Sequence, residues 1–266
     1  MAIISRNRTA SSPFAGGSVI QHHGIRLSDD QDIFTAGDPE PVMQNDVKAL
    51  NAAGLTVKET KSYPGFRECL VTKPGIANTT LQWTQALGLE YFKPVPDEDF
   101  GHRLHFVDLA ANKTLATANR MVVRDFIDLW MLDKHVMPLW RMACAASSKS
   151  EEISPLAIVE RIARNRQPAF TRQVQQSELL TTIEVSTSEV TENLMDAMDL
   201  ARDILFRLPG HCLGKLQIAS SGHPVLSREP VAGGEDSWIR PQPGGTLPTL
   251  AGADEAMVNA LIAEYG

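Results

Sequence analysis

A change of texture near residue 107 restricts this chain more than any other feature. Ahead of it, short runs at 55–60, 67–73 and 78–83 read as strands. Past it, DLAANKTLATAN (108–119) and RDFIDLWMLDKH (124–135) carry apolar residues at helical spacing. Ser154-Pro155 is a cap followed by a first-turn proline and opens a helix over 155–165. A longer helix covers 189–207 and closes at Pro209-Gly210. The expectation is an α+β fold, with an α/β core over residues 1–106 and a mainly helical region over 107–266.

The remaining segments fill in this outline. Residues 1–13 are polar and without pattern, and read as a loose arm with no helix ahead of residue 14. FAGGSVI (14–20) ends a strand and begins a helix, and 28–34 is a further short strand. Residues 42–53 form an amphipathic helix capped by Gly54. The Pro-rich segment 93–101 reads as a loop, 211–250 as a hairpin followed by irregular chain, and 253–264 as a last short helix.

Composition removes some functional classes. A 266-residue chain that is 43% hydrophobic can bury a substantial core. Its formal net charge of -7 gives no overall attraction for nucleic acid, though a local basic patch remains compatible with it. Cys69, Cys144 and Cys212 are odd in number and show no CxxC spacing, which reads as buried reduced thiols in a cytoplasmic protein. The sequence has no apolar run of about 18 residues, so no membrane span is expected. Its N-terminus lacks the apolar core of a secretory signal.

Two constellations carry chemistry. Gly16-Gly17-Ser18 at a helix start offers backbone N–H groups to a phosphate. Asp30 and Asp32 follow, two residues apart on a presumed strand, so both carboxylates project from one face and suit a hard cation such as Mg²⁺. Taken alone, Asp-x-Asp is more often a solvated turn. The second constellation is Asn112-Lys113 with Arg124, Asp125 and Asp128. Lys113 can meet a phosphate as a point charge and Arg124 as a two-pronged clamp. The bland reading is an Arg124–Asp128 pair one helical step apart on a surface. His22-His23, His102, His105 and His135 lack the partners that a zinc site needs, and no Gly-x-Ser-x-Gly elbow is present.

Taken in order, Gly16-Gly17-Ser18, Arg26, Ser28, Asp30, Asp32, Asp108, Asn112-Lys113, Arg120, Arg124-Asp125 and Asp128 resemble the nucleotidyltransferase AbiEii/AbiGii toxin family. The resemblance spans roughly residues 14–220. It implies a nucleotidyltransferase-fold core, a small mixed sheet flanked by helices, with a helical C-terminal part. It also implies a toxin of a toxin–antitoxin pair, moving a nucleotide from an NTP to an RNA (tRNA) or protein acceptor. By position, Asp30 and Asp32 match the family's metal-binding carboxylates for Mg²⁺ (or Mn²⁺), and Gly16, Gly17 and Ser18 match its phosphate turn. Ser28, Lys113 and Arg124 fall among its nucleotide-binding positions, while Lys113 and Asp125 join the two aspartates as catalytic residues. A separately encoded cognate antitoxin is the implied partner. The chain departs from the pattern where many nucleotidyltransferases carry a third carboxylate, for the neighbouring strand offers Gln82. Glu90, Asp97 and Asp99 lie further along with no assigned place. That departure opens the alternative of a degenerate member acting as a binding or regulatory module.

Overall fold

The computed structural model describes residues 2–22, 28, 30–150, 153–171, 185–231 and 237–247, with residues 259 and 263. The chain divides into two compact units. The first is built from Met1–His22, Ser28–His105 and Gln242–Thr249, and the second chiefly from Phe106–Pro241.

The first unit holds a mixed sheet flanked by helices, the architecture expected from the sequence. Its strands are β1 (Phe14–Ala15), β2 (Asp30–Thr35), β3 (Thr56–Tyr63), β4 (Phe66–Lys73), β5 (Ile76–Gln85), β6 (Leu89–Glu90), β7 (Val95–Asp97) and β8 (Gly101–Arg103). Seven of them form one sheet in the order β3-β4-β5-β2-β1-β8-β7. β2 runs parallel to β5 and β1 parallel to β8, while the other pairs are antiparallel. The β3–β4 and β4–β5 turns are Pro64-Gly65 and Pro74-Gly75, with both glycines at positive φ (75° and 79°). Proline presets the first corner of such a turn and glycine accepts the left-handed second. The turns thus join three long strands by local chemistry, and a register shift in each pair, between Glu59 and Lys61 and between Val71 and Lys73, completes their pairing.

Helix α3 (Glu40–Ala52) covers one face of the sheet, behind the short helices α1 (Ala2–Ser5) and α2 (Gly16–His22) in chain order. Its buried Met43 lies 3.8 Å from the Cys69 thiol, and its Asp46 accepts the Trp83 indole N–H at 2.8 Å. Ile33, Leu81, Trp83 and Cys69 are buried on this face. Strand alternation then turns Asp30, Asp32, Thr80, Gln82 and Glu68 to the opposite face.

Two expectations fail in this unit. The segment 1–13 is not a loose arm. Ile4 is 2% exposed, α1 forms, and the Arg8 guanidinium is ion-paired with Asp46, both side chains being fully buried. Asn7 also donates to Asp46 at 2.8 Å. Polar residues without periodicity gave no sign of this anchor, because its partner lies 38 residues away. The Pro-rich segment 93–101 is likewise not plain loop, since β7 and β8 pair antiparallel from Val95↔Arg103 to Asp97↔Gly101. Pro96 is tolerated because β7 is the sheet's edge.

The second unit is helical: α4 (Phe106–Asn119), α5 (Val123–His135), α6 (Leu139–Ser147), α7 (Pro155–Thr171) and α8 (Thr187–Arg207). Ser154 caps α7 by accepting from Ala157 N–H at 3.2 Å, and Ser186 caps α8 by accepting from Glu189 N–H at 3.2 Å. The hairpin expected in this stretch is a tight one, with Ile218 bridging Pro224 antiparallel and Ala219 N–H donating to the His223 carbonyl at 2.8 Å, while β9 (Leu216–Gln217) also pairs antiparallel with the distant β10 (Trp238–Ile239). The buried Arg141 guanidinium ties this region to α6 through Gln217 Oε1 at 3.0 Å and the Ser227 carbonyl at 2.8 Å. The 211–250 stretch also returns to the first unit, where β11 (Gln242–Pro243) pairs with β6. All three cysteines are free and buried, as expected. The helix expected at 253–264 lies outside the described residues. Among the described residues, no helix is long and apolar enough to cross a membrane.

Asp46 satisfies three donors at once, and removing it strands a buried cation and an indole N–H. Asp46→Ala is expected to lose about 3–5 kcal/mol in urea unfolding, whereas the apolar pair Arg8→Met/Asp46→Leu recovers the share due to the stranded cation and leaves the indole N–H without its acceptor. Equal destabilisation by the single and the double variant would contradict this account.

Candidate functional site

The first constellation is assembled at the β1–β2 pair. Antiparallel register sets Ala15 opposite Asp32, so the chain leaves β1 directly beside that carboxylate. It turns there at Gly16, whose φ is +68°. A Cβ on Gly16 would stand 1.8 Å from Asp32 Oδ2. Glycine is required twice at this position, once for the backbone angle and once for the space that the carboxylate occupies. α2 begins at the same residue. Gly17 and Ser18 are buried in its first turn, and the Ser18 hydroxyl points back to the Ala15 carbonyl at 3.4 Å. Asp30 and Asp32 share the open face of β2 and are both half-buried. Ser28 donates its hydroxyl to the Asp30 carbonyl at 2.9 Å, which braces the start of the strand. Arg26 and His23 lie outside the described residues.

A polar row crosses the sheet from Asp32. Gln82 is its register partner on β5, Glu68 is the partner of Gln82 on β4, and Lys61 is the partner of Glu68 on β3. Glu68 Oε2 accepts from Gln82 Nε2 at 2.9 Å and from Lys61 Nζ at 3.0 Å. Its Oε1 lies 2.9 Å from the Thr60 hydroxyl. Burial pushes the Glu68 carboxyl up, but the bonds from Lys61, Thr60 and Gln82 together outweigh burial and hold it below the usual carboxylate range. Sequence reading had no place for Glu68. The Pro74-Gly75 turn joins the two strands, but residue 68 stands beside residue 82 only through the register shift between Val71 and Lys73, which no local motif marks.

The other acidic candidates have separate tasks. Asp97 accepts from the backbone N–H groups of Asp99 and Phe100 and from Arg103 Nε at 2.7 Å. Asp99 pairs with His22 at 2.8 Å, and Glu90 is buried on β6. His105 stacks on Phe92 with ring centroids 3.9 Å apart, in the first unit. Among the described residues, no three His, Cys, Asp or Glu side chains converge as a ready metal cluster.

The second constellation lies within the helical unit. The Lys113 ammonium is held between Asp125 Oδ1 and Asp128 Oδ2, each at 2.9 Å. Arg120 adds a second hydrogen bond to Asp125 Oδ1 at 2.9 Å. Lys113 is 7% exposed, Asp125 2% and Asp128 0%. Burial lowers the affinity of Lys113 for its proton, but the two carboxylates reverse this and raise it above its ordinary value. Asp125 is lowered: burial acts to raise it, and Lys113 and Arg120 prevail. The Arg124–Asp128 surface pair does not form. Asp128 is buried toward Lys113, and half-exposed Arg124 makes no hydrogen bond or ion pair with the described residues. A matching pair lies nearby on α4, where Lys149 meets Asp108 at 2.8 Å and Asn112 Oδ1 at 3.0 Å.

Comparisons with protein-family models and with curated proteins find no match. The fold is similar to that of a solved structure, the nucleotidyltransferase toxin MenT4 from Mycobacterium tuberculosis. The TM-score is 0.51 at 10% sequence identity, over 78% of this chain and 80% of that one. The chain thus has a nucleotidyltransferase-like fold.

The Lys113–Asp125 pair gives a pH signature. Asp125 is depressed below 3.8, so its contribution is present above that pH and is lost as pH falls through its folded value. Lys113 is raised above 10.5, so its contribution holds below that pH and is lost in strong alkali. Urea unfolding across pH should show stability falling below about pH 4. In Asp125→Asn the acid limb should be shallower and the whole profile lower. An acid limb as steep as in the unmodified protein would count against this assignment.

Proposed function

We propose that the chain is a toxin-type nucleotidyltransferase that moves a nucleotide from an NTP to an RNA (tRNA) or protein acceptor. The observation that carries the reading is the seating of Asp32 over Gly16, with Asp30 on the same face of β2, in a fold similar to that of a nucleotidyltransferase toxin. The donor set suits a hard divalent cation, because both groups are carboxylates two residues apart and the absent Gly16 side chain leaves room for one of them. Asp30 and Asp32 would hold Mg²⁺ or Mn²⁺, which when bound neutralises triphosphate charge.

The remaining steps fall to the chain. Gly16, Gly17 and Ser18 would receive phosphate oxygens at the head of α2, with Ser28 bracing the strand beside them. The acceptor hydroxyl attacks the α-phosphorus in line, its oxygen forms the new P–O bond, and pyrophosphate leaves with the electrons of the broken one. A carboxylate of the Asp30/Asp32 pair would take the hydroxyl proton. In the helical unit Arg124, without a partner among the described residues, is available to a phosphate. Lys113 reaches one only by exchanging Asp125 or Asp128 for it. A cognate antitoxin is the corresponding protein partner.

Gln82 supports a second reading, a nucleotide-binding or regulatory protein that has lost transfer, because a neutral amide stands beside Asp32 where a third carboxylate would strengthen metal binding.

The test is incubation with α-labelled NTPs, Mg²⁺ and total RNA. Label on RNA or on a protein acceptor is expected with the unmodified chain, falling by at least about a hundredfold in Asp30→Ala and Asp32→Ala. Equal labelling by both variants would overturn the site assignment, and NTP binding without label would favour the second reading.

A further inference from the structure

The Gln82 amide is not free to choose its orientation. A carboxylate only accepts hydrogen bonds, so the amide atom 2.9 Å from Glu68 Oε2 is the nitrogen. Glu68 is itself fixed from the far side by Lys61 at 3.0 Å and Thr60 at 2.9 Å. The two polar atoms of an amide diverge from one carbon, so pinning Nε2 toward β4 directs Oε1 away from β4. On the other side of β5, Asp32 is the residue in register with Gln82.

We infer that Gln82 Oε1 is a neutral third oxygen donor for the cation proposed at Asp30 and Asp32, and that Glu68 is the positioning residue that aims it. The inference rests on the two-aspartate reading of the site. Glu68 does not coordinate the ion itself. It lies two strands from β2, roughly 10 Å at the usual strand spacing, while metal–oxygen bonds are about 2.1 Å. Its charge is matched by Lys61. The result is a site with two formal negative charges and an aimed dipole, a weaker hold on a cation than three carboxylates would give. Nucleotide phosphate then supplies much of the binding, so the metal and NTP bind best together.

The experiment is a titration of the full chain with Mn²⁺ alone, followed by electron paramagnetic resonance. Melting curves without metal confirm that each variant is folded. Gln82→Leu should weaken Mn²⁺ binding by about tenfold, and Glu68→Gln, which can face Gln82 with either amide atom, should weaken it in the same direction. The exchange Glu68→Gln/Gln82→Glu keeps the hydrogen bond and moves the charge beside Asp32. It should bind Mn²⁺ about tenfold more tightly than the unmodified chain, a gain that a folding defect cannot imitate. If these variants all stay within about twofold of the unmodified protein while Asp32→Asn abolishes binding, Gln82 is not a ligand and the inference is overturned. If the unmodified chain binds no Mn²⁺, or Asp32→Asn binds as well as it does, the two-aspartate reading fails and takes this inference with it.

Discussion

The candidate site depends on one contact, the Asp32 carboxylate lying over the Cα of Gly16. That contact requires β1 to pair antiparallel with β2, in the register that sets Ala15 beside Asp32. β1 is only two residues long, and it is held because β8 pairs with its other edge while Phe14 and Ala15 are completely buried. α2 can start one residue later only because Gly16 adopts a positive φ. A side chain at this position would push the carboxylate away and strain the turn together. The strand, the turn, the helix start and one carboxylate are thus a single coupled unit. The other long strands extend outward from β2 through the parallel β2–β5 pairing.

The two units bury charge by different means. In the first, Asp46 collects a guanidinium, an amide and an indole, and so joins the N-terminal segment to α3 and β5. In the second, the lysines Lys113 and Lys149 are each seated on aspartate within the helical core. Isolated, such an ion is very costly to bury, and paired in good geometry it roughly breaks even. Such pairs therefore contribute more to the choice of helix register than to net stability. α4 shows the effect: Lys113 meets two aspartates of α5, while Asp108 and Asn112 meet Lys149 just past the end of α6.

The sequence made the elements legible where a local rule governs them. Gly54 ended α3, Ser154-Pro155 opened α7, and the short β-like runs 67–73 and 78–83 marked β4 and β5. Asp30 and Asp32 were legible as a same-face pair for the same reason, since strand geometry follows from spacing alone. The failures were long-range. Nothing near Arg8 announces Asp46, which depends on how α3 stacks on the sheet, and nothing near Glu68 announces a place beside Gln82, which depends on the register shift within the β4–β5 pair. The Arg124–Asp128 pairing failed differently. Spacing permitted it, but Asp128 turned inward to the buried Lys113 ammonium, away from the surface.

That last failure bears on how the helical cluster works. An exposed lysine can bind a phosphate without giving anything up. Lys113 sits between two carboxylates and is almost closed to solvent, so it can bind a phosphate only by loosening Asp125 or Asp128. Each carboxylate released in this way needs another partner. Arg120 already bonds Asp125 and can hold it, but Asp128 is fully buried, so its release would be far more costly. The asymmetry selects Asp125 as the aspartate that can change partners, with Lys113 and Arg120 on either side of it. Lys113 alone cannot neutralise two carboxylates, and Arg120 supplies the second positive charge of a balanced cluster.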